Sequence, residues 1–110
     1  MGVLAAGQIA LLHFPFSDLS RNKLRPAVIL ASAGREDWIV CQITSNPLGD
    51  KRSLPLTPSD FASGTLKHIS YVRPGKVFTA HESLIGSVVG MLKPEMFMTI
   101  RNAVIAVIQS

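Results

Sequence analysis

Short apolar runs separated by turn residues fill the chain as far as Leu92. Runs that are rich in β-branched and aromatic side chains, and that are bounded by Gly, Pro, Asn or Asp, are typical of β-strands. This pattern predicts strands at residues 7–14, 25–32, 38–44, 53–56, 66–73 and 86–92, with a further extended segment at 77–79. Because the turn at residues 33–37 is short, the second and third strands are predicted to form a hairpin.

The C-terminal segment has a different periodicity. Pro94 suits the first turn of a helix, where its missing N–H has no partner to lose. Apolar residues then recur at three- and four-residue spacing, which places on one helix face Met96, Ile100, Ala103, Val104, Val107 and Ile108. Short strands, frequent turns and one terminal helix predict a mainly β fold, a bent antiparallel sheet or small open barrel closed on one side by the helix. With no internal repeat or linker, residues 1–110 are expected to form a single domain.

Two polar segments interrupt the strands. Residues 17–23 follow Pro15, which ends the first strand because proline has no N–H for the ladder. Residues 45–52 combine Asn-Pro, Leu-Gly-Asp and a basic pair, and we expect this loop to be mobile. Three further predictions concern the connections: an irregular segment at 57–65, a strand end at Pro74-Gly75 and one helical turn at 80–85.

Length and charge narrow the function classes. A chain of 110 residues suits one compact core, and a core of this size gains stability by pairing with a second copy, so we expect a homodimer. Eleven Lys and Arg against seven Asp and Glu give a formal charge of +4 and a pI near 9.7. This excess favours a polyanionic partner, although an ordinary basic surface fits the charge equally well.

Cysteine and histidine usage predicts neither a disulfide framework nor a metal site. Cys41 is the single cysteine and falls inside an apolar strand, and the three histidines have no metal-ligand spacing. We therefore expect no metal or other cofactor, and a reducing, cytoplasmic compartment. No basic segment leads into a long apolar run, and no stretch approaches the roughly 18 apolar residues that span a bilayer, so neither a secretory signal nor a membrane anchor is expected.

The junction between the first polar loop and the second strand is the strongest candidate for chemistry. Arg25 begins an apolar run, so its guanidinium is expected at the rim of the core, where a cation on rigid backbone suits a phosphate. The alternative for Arg25 is a surface ion pair, for instance with Asp18. Phe16, beside this loop, suits stacking on an unpaired base, with burial under the loop as an equal alternative. Lys51 and Arg52 are expected to steer a polyanion, unless they are plain solvated surface.

Several short motifs follow one another in order along the chain: GQI at 7–9, FPFSDL at 14–19, KLRPAVIL at 23–30, QITS at 42–45, SYVR at 70–73 and GML at 90–92. This ordered set resembles the MazF/PemK toxins, the mRNA interferases of type II toxin–antitoxin pairs, from about Gly7 to the C-terminus. The resemblance implies an SH3-like barrel that forms a homodimer. It also implies metal-independent, sequence-selective cleavage of single-stranded mRNA, and silencing by a cognate antitoxin.

Site residues follow from the resemblance motif by motif. The Arg of the R-P motif and the Thr of the I-T-S motif are the family's catalytic pair, which correspond here to Arg25 and Thr44. The Thr44 hydroxyl has two alternative roles. It contacts a phosphate oxygen or the 2′-hydroxyl of RNA, or it bonds nearby backbone at the strand end. The residues expected to contact RNA are Phe16, Ser17, Asp18, Ser45, Lys51, Arg52 and Arg73.

One position departs from the family pattern. Arg73 matches the Arg of a V-R-x-D segment, but Gly75 stands where the family has its acidic residue. That carboxylate is the general base in some relatives, so an aspartate-based mechanism is in doubt here. Asp18 is the nearest substitute carried by a motif, and stabilising a turn is its alternative role.

Two other function classes stay open. The same barrel occurs in toxins that bind and poison DNA gyrase, for which Arg25 and Thr44 would be dispensable. Gly75 also fits a degenerate member that binds RNA or antitoxin without cutting. Cleavage of a long single-stranded RNA in EDTA, beside an Arg25→Ala control, separates these classes.

Overall fold

The fold is an open antiparallel sheet with one C-terminal helix. The computed structural model describes residues 3–13 and 24–110. In chain order its elements are β1 (Gln8–His13), β2 (Leu24–Gly34), β3 (Asp37–Thr44), β4 (Leu54–Leu56), β5 (Phe61–Gly64), β6 (Ser70–His81), β7 (Ile85–Leu92) and α1 (Pro94–Gln109). The seven strands lie in the order β4-β6-β3-β2-β1-β7-β5, with β4 and β5 as unjoined edges. The predicted mainly β class with a terminal helix is confirmed.

The predicted hairpin of the second and third strands is also confirmed. β2 and β3 pair antiparallel, with Ala27 opposite Gln42 and Val28 opposite Cys41. The turn between them consists of Arg35 and Glu36, whose φ angles of 53° and 67° lie in the left-handed region. Two-residue turns of this hand match the twist of the strands that they join.

The prediction for β6 was wrong at both ends. The strand begins at Ser70 rather than at residue 66, and it continues through Pro74 and Gly75 to His81. Val72 pairs with Ile43 and Val77 with Cys41, so residues 73–76 bulge opposite the single residue between those partners. A proline is tolerated in such a bulge because the ladder there is already interrupted.

The connections contain more regular structure than the sequence indicated. The segment at 57–65, predicted to be irregular, forms a 3₁₀ turn at Pro58–Asp60 followed by β5. The helical turn predicted at 80–85 is present as a 3₁₀ turn at Glu82–Leu84, and the His81 side chain accepts a hydrogen bond from the Ser83 N–H at 3.1 Å.

Apolar side chains bury both faces of the sheet, as the period-two alternation along each strand requires. One cluster packs between the sheet and α1 and includes Ile9, Val28, Cys41, Val72 and Ile100. A second cluster is formed by the alternate residues Ala10, Leu12, Ala27, Ile29, Val40 and Ala80. The central strands are therefore fixed in register by burial on both sides.

The helix packs through most, but not all, of the face that its periodicity predicted. Ile100 and Val104 are buried, and Met96, Ala103 and Val107 are half-buried. Ile108 is 76% exposed, so its predicted place on the packed face was wrong. Eight residues beyond Ile100, it is rotated by about 80° from the centre of that face. None of the helices in the described part of the chain is long and apolar enough to cross a membrane.

Two alanine substitutions in α1 test this orientation. Ile100→Ala removes a fully buried side chain and should lower the free energy of unfolding by about 2–5 kcal/mol. Ile108→Ala, the matched control in the last turn, should change it by no more than about 0.5 kcal/mol. Urea denaturation followed by circular dichroism measures both values, and equal losses would contradict the assigned helix face.

Candidate functional site

A cavity of about 430 Å³ opens where β2 begins and β3 ends. Strands β2 and β3 contribute Arg25 and Thr44 to its lining, and Ser45 follows β3. The connection between β5 and β6 contributes residues 65–68, followed by Ser70. We call this space the Arg25–Thr44 cavity. A second cavity of about 390 Å³ shares residues 65–68 and Ser70 with it. The β5–β6 connection therefore separates two adjoining concave surfaces.

The register of the hairpin brings Arg25 and Thr44 together. Ala27 lies opposite Gln42 in the β2–β3 ladder. Continuing that register by two residues places Arg25 beside Thr44 on the same face of the sheet, because side chains alternate with a period of two. Arg25 is also fixed on its other side, where it pairs with Leu12 of β1. The predicted catalytic pair thus shares one cavity on rigid backbone.

The Arg25 guanidinium has no carboxylate partner among residues 3–13 and 24–110. The side chain is exposed, and none of the carboxylates in the described ranges forms an ion pair with it. Asp18, the partner considered from the sequence, lies outside the described residues, as do Phe16 and Ser17. A guanidinium at the mouth of a cavity offers two parallel N–H donors to a phosphate.

The Thr44 hydroxyl is held by the backbone. Its Oγ1 donates to the Asn46 carbonyl at 3.1 Å and accepts from the Asn46 N–H at 3.2 Å. This is the local role that the sequence left open as the alternative to RNA contact. A hydroxyl oxygen has two acceptor lone pairs, so one remains for a ligand in the cavity. Ser45 follows it, exposed at the same rim.

Arg73 does not line the cavity and is engaged elsewhere. Its Nε donates to Asp50 Oδ2 at 2.8 Å, and its Nη1 donates to Gln42 Oε1 at 3.4 Å. Hydrogen bonds from the Arg73 guanidinium and from the Arg52 N–H, at 2.9 Å, hold the pKa of the Asp50 carboxyl below its ordinary value. The ion pair ties the 45–52 loop to β6, and it leaves Lys51 and Arg52 exposed at the loop surface.

Neither Gly75 nor Cys41 supplies chemistry to the cavity. Gly75 is exposed on β6, with no atom within 4 Å of the position that a Cβ would take, and it does not line the cavity. Burial raises the pKa of the Cys41 thiol to about 12, and its Sγ donates to the Arg73 carbonyl at 3.1 Å. A buried thiol that keeps its proton is a poor nucleophile. Over the described residues, no three His, Cys, Asp or Glu side chains come together as a metal site.

Sequence reasoning missed Lys67 and His68. The pattern predicted a strand from residue 66 and indicated no role in chemistry for either residue. In the structure these two residues precede β6 and line both cavities. The sequence feature that could have indicated them is a lysine next to a histidine, shortly after the turn residue Gly64.

Comparison with protein families gives a match over nearly the whole chain. Residues 5–108 match the family described as PemK-like, MazF-like toxins of type II toxin–antitoxin systems. No individual curated protein sequence matches the chain.

Solved structures share the fold at low sequence identity. MazF (Form-I) from Deinococcus radiodurans is 17% identical, with a TM-score of 0.76 over 100% of both chains. An endoribonuclease in complex with its cognate antitoxin, from a mycobacterial species, is 16% identical, with a TM-score of 0.74 over 97% of this chain and 96% of that one. The Mycobacterium tuberculosis toxin MazF-mt6 is 20% identical, with a TM-score of 0.70 over 93% and 96%. At these identities the likeness establishes the fold.

The ion pair of Arg73 with Asp50, which anchors the 45–52 loop, can be tested by titrating the Asp50 carboxyl. Arg73→Gln removes the guanidinium that favours the charged carboxylate, so the pKa of Asp50 should rise towards its ordinary value, about 3.9. The pKa of Asp50 is lower in the folded than in the unfolded protein. The ion pair therefore stabilises the fold at any pH above the unfolded pKa, and this contribution is lost as the pH falls through the folded pKa. Carboxyl ¹³C NMR measures the shift. Gln42→Ala, which spares the ion pair, is the control, and an equal titration of Asp50 in both variants would contradict the anchor.

Proposed function

Because the chain belongs to the PemK-like, MazF-like toxins of type II toxin–antitoxin systems, we propose that it is an endoribonuclease that cuts single-stranded mRNA at selected sequences without a metal ion. The observation that carries the proposal is the shared cavity of Arg25 and Thr44, in which the guanidinium has no carboxylate partner among the described residues. Mycobacterial neighbours of the same fold are described as endoribonucleases, which supports this activity.

The chemistry required is cleavage of RNA by its own 2′-hydroxyl. This reaction needs a cation for the charge that develops on the phosphoryl oxygens, an oriented 2′-hydroxyl, a base for its proton and a proton for the leaving 5′-oxygen. Arg25 supplies the cation through bidentate contact. Thr44, with its remaining lone pair, orients the 2′-hydroxyl or a phosphate oxygen, and Ser45 lies beside it. Phe16, Ser17 and Asp18 belong to the same proposal as RNA contacts.

The proposal extends to partners and compartment. We expect a homodimer in the cytoplasm that a cognate antitoxin silences, and toxin–antitoxin complexes among the structural neighbours support the antitoxin. The exposed cations Lys51 and Arg52 lie on a loop that also begins at the cavity rim, at Ser45. RNA and an acidic antitoxin segment therefore compete for one basic surface. Arg73 contributes to that surface through the loop that it anchors.

A second candidate function has one observation in its favour. Gly75 leaves the family's acidic position without a carboxylate, which is what a member that binds RNA or antitoxin without cutting would show. Incubating the purified protein with a long single-stranded RNA in EDTA decides between the two, and absence of new 5′ ends would favour the binding protein.

A toxin that poisons DNA gyrase is tested separately. Toxicity that persists in Arg25→Ala would favour it.

Substitution of the catalytic pair gives the first kinetic prediction. Arg25→Ala and Thr44→Ala should each slow cleavage by about 10²-fold or more, because each removes a preorganised contact to the transition state. Arg25→Lys should also be impaired, since a point charge does not reproduce the planar fork. Single-turnover kinetics on a mapped RNA site measures the rates. The controls are Arg101→Ala and Thr79→Ala, at exposed positions outside the cavity, and near wild-type rates in both cavity variants would remove the assignment.

The loop cations give the second prediction. Lys51→Glu with Arg52→Glu should weaken both RNA and antitoxin binding and flatten the dependence of RNA affinity on salt, because fewer phosphate charges are neutralised. Fluorescence anisotropy over a salt series measures the slope. Lys93→Glu with Arg101→Glu, equal in charge change but away from the loop, is the control. Loss of antitoxin binding alone, with an unchanged RNA slope, would contradict a shared surface.

A further inference from the structure

Among the described residues, the family pattern supplies no base for the proposed reaction, and Asp18, the substitute carried by a motif, lies outside those residues. Gly75 has no carboxylate and does not line the Arg25–Thr44 cavity. Asp50, a carboxylate of the neighbouring loop, is held in an ion pair by Arg73 and is not a lining residue either. Within the described residues, the proton of the 2′-hydroxyl therefore needs another acceptor.

Of the described residues that line the cavity, one has a side chain suited to this task. Among the described residues that line either cavity, the charged or titratable ones are Arg25, Lys67 and His68. Guanidinium and ammonium groups hold their protons near neutral pH, whereas an imidazole exchanges its proton there. The cavity hydroxyls of Thr44 and Ser70 already bond backbone groups, at 3.1 Å and 2.9 Å.

The His68 ring has no partner in the described part of the chain, and its backbone is fixed. Within the described ranges, no hydrogen bond or ion pair involves the imidazole, which is exposed. The backbone, in contrast, is tied to the start of β6, because the hydroxyl of Ser70, 6% exposed, donates to the His68 carbonyl at 2.9 Å. A free ring on a fixed backbone is the arrangement that proton transfer to a ligand requires.

We propose that His68 is the general base of the cleavage reaction, an inference that rests on the proposed endoribonuclease function. A ring nitrogen of the neutral imidazole takes the proton of the 2′-hydroxyl while the 2′-oxygen forms its bond to phosphorus. The bond between phosphorus and the 5′-oxygen breaks, and that oxygen takes a proton from water. The products are a 2′,3′-cyclic phosphate and a 5′-hydroxyl, and the imidazolium returns its proton to solvent.

The pH dependence of cleavage tests this role in the full-length protein. The single-turnover rate of the wild type should rise with pH and level off once the imidazole is neutral. His68→Gln keeps a polar side chain that does not accept a proton, so the rate should fall by about 10²-fold or more and lose the plateau. Binding of an RNA with a 2′-deoxy residue at the cut site should stay within about twofold of wild type, because the contacts to phosphate remain.

Matched variants separate this role from a structural one. His81→Gln alters an exposed histidine outside the cavity, whose ring bonds Ser83 and Glu36, and it should keep the wild-type rate and profile. Imidazole added to His68→Ala should restore part of the rate in proportion to its concentration. An unchanged rate and profile in His68→Gln overturns the proposal, and so does loss of the plateau in Asp18→Asn alone.

A modified substrate distinguishes base from acid. With sulfur in place of the 5′-oxygen at the cut site, the leaving group needs no proton. His68→Gln should remain impaired on this substrate, and recovery to the wild-type rate would make His68 the acid and overturn the proposal. If the wild type cuts no RNA, both the proposed endoribonuclease function and the proposed role of His68 as base are rejected. If the wild type cuts and His68→Gln cuts equally well, only the base falls.

Discussion

The antiparallel register between β2 and β3 is the constraint on which the site depends. Val28 lies opposite Cys41 and Ile29 opposite Val40, and all four side chains are buried. A slip of one residue would turn these side chains to the wrong faces of a sheet that is covered on both sides. The same register brings the start of β2 and the end of β3 together at one end of these strands, where Arg25 and Thr44 line a common cavity. Core burial and site geometry are therefore two consequences of one pairing.

The two arginines at this end of the sheet differ because of their neighbours. Arg73 follows Val72 at the bulge of β6, where its carbonyl accepts from the Cys41 thiol and its guanidinium pairs with Asp50. It is a structural cation that holds the 45–52 loop. Arg25 emerges where β2 begins, with no carboxylate partner in the described ranges. The proposed anion site needs an arginine of the second kind, and the first kind holds the loop that follows Ser45.

The polar groups around the cavity also differ in whether they bond the protein's own backbone. The hydroxyls of Thr44 and Ser70 bond the backbone of their own segments, which fixes the strand end and the start of β6. Buried or half-buried polar groups are normally satisfied in this manner. Among the described residues, the Arg25 guanidinium and the His68 imidazole have no such partner, and they come from segments far apart in the sequence. The side chains that fix the cavity and those proposed to react are therefore different ones.

The sequence by itself determined the mainly β class, the β2–β3 hairpin, the start of α1 and most of its packed face, because each depends on local periodicity and turn residues. It also indicated Arg25 and Thr44 through short motifs at the ends of strands. It did not determine the course of β6 through Pro74, since a bulge depends on the partner strand. It did not determine the exposure of Ile108 either, since the width of a packed helix face depends on how the sheet meets the helix. The pairing of Arg73 with Asp50 and the place of His68 in the same cavity as Arg25 were decided only by the tertiary structure. Both join residues that are distant along the chain, and no local pattern records which distant segment a side chain will meet.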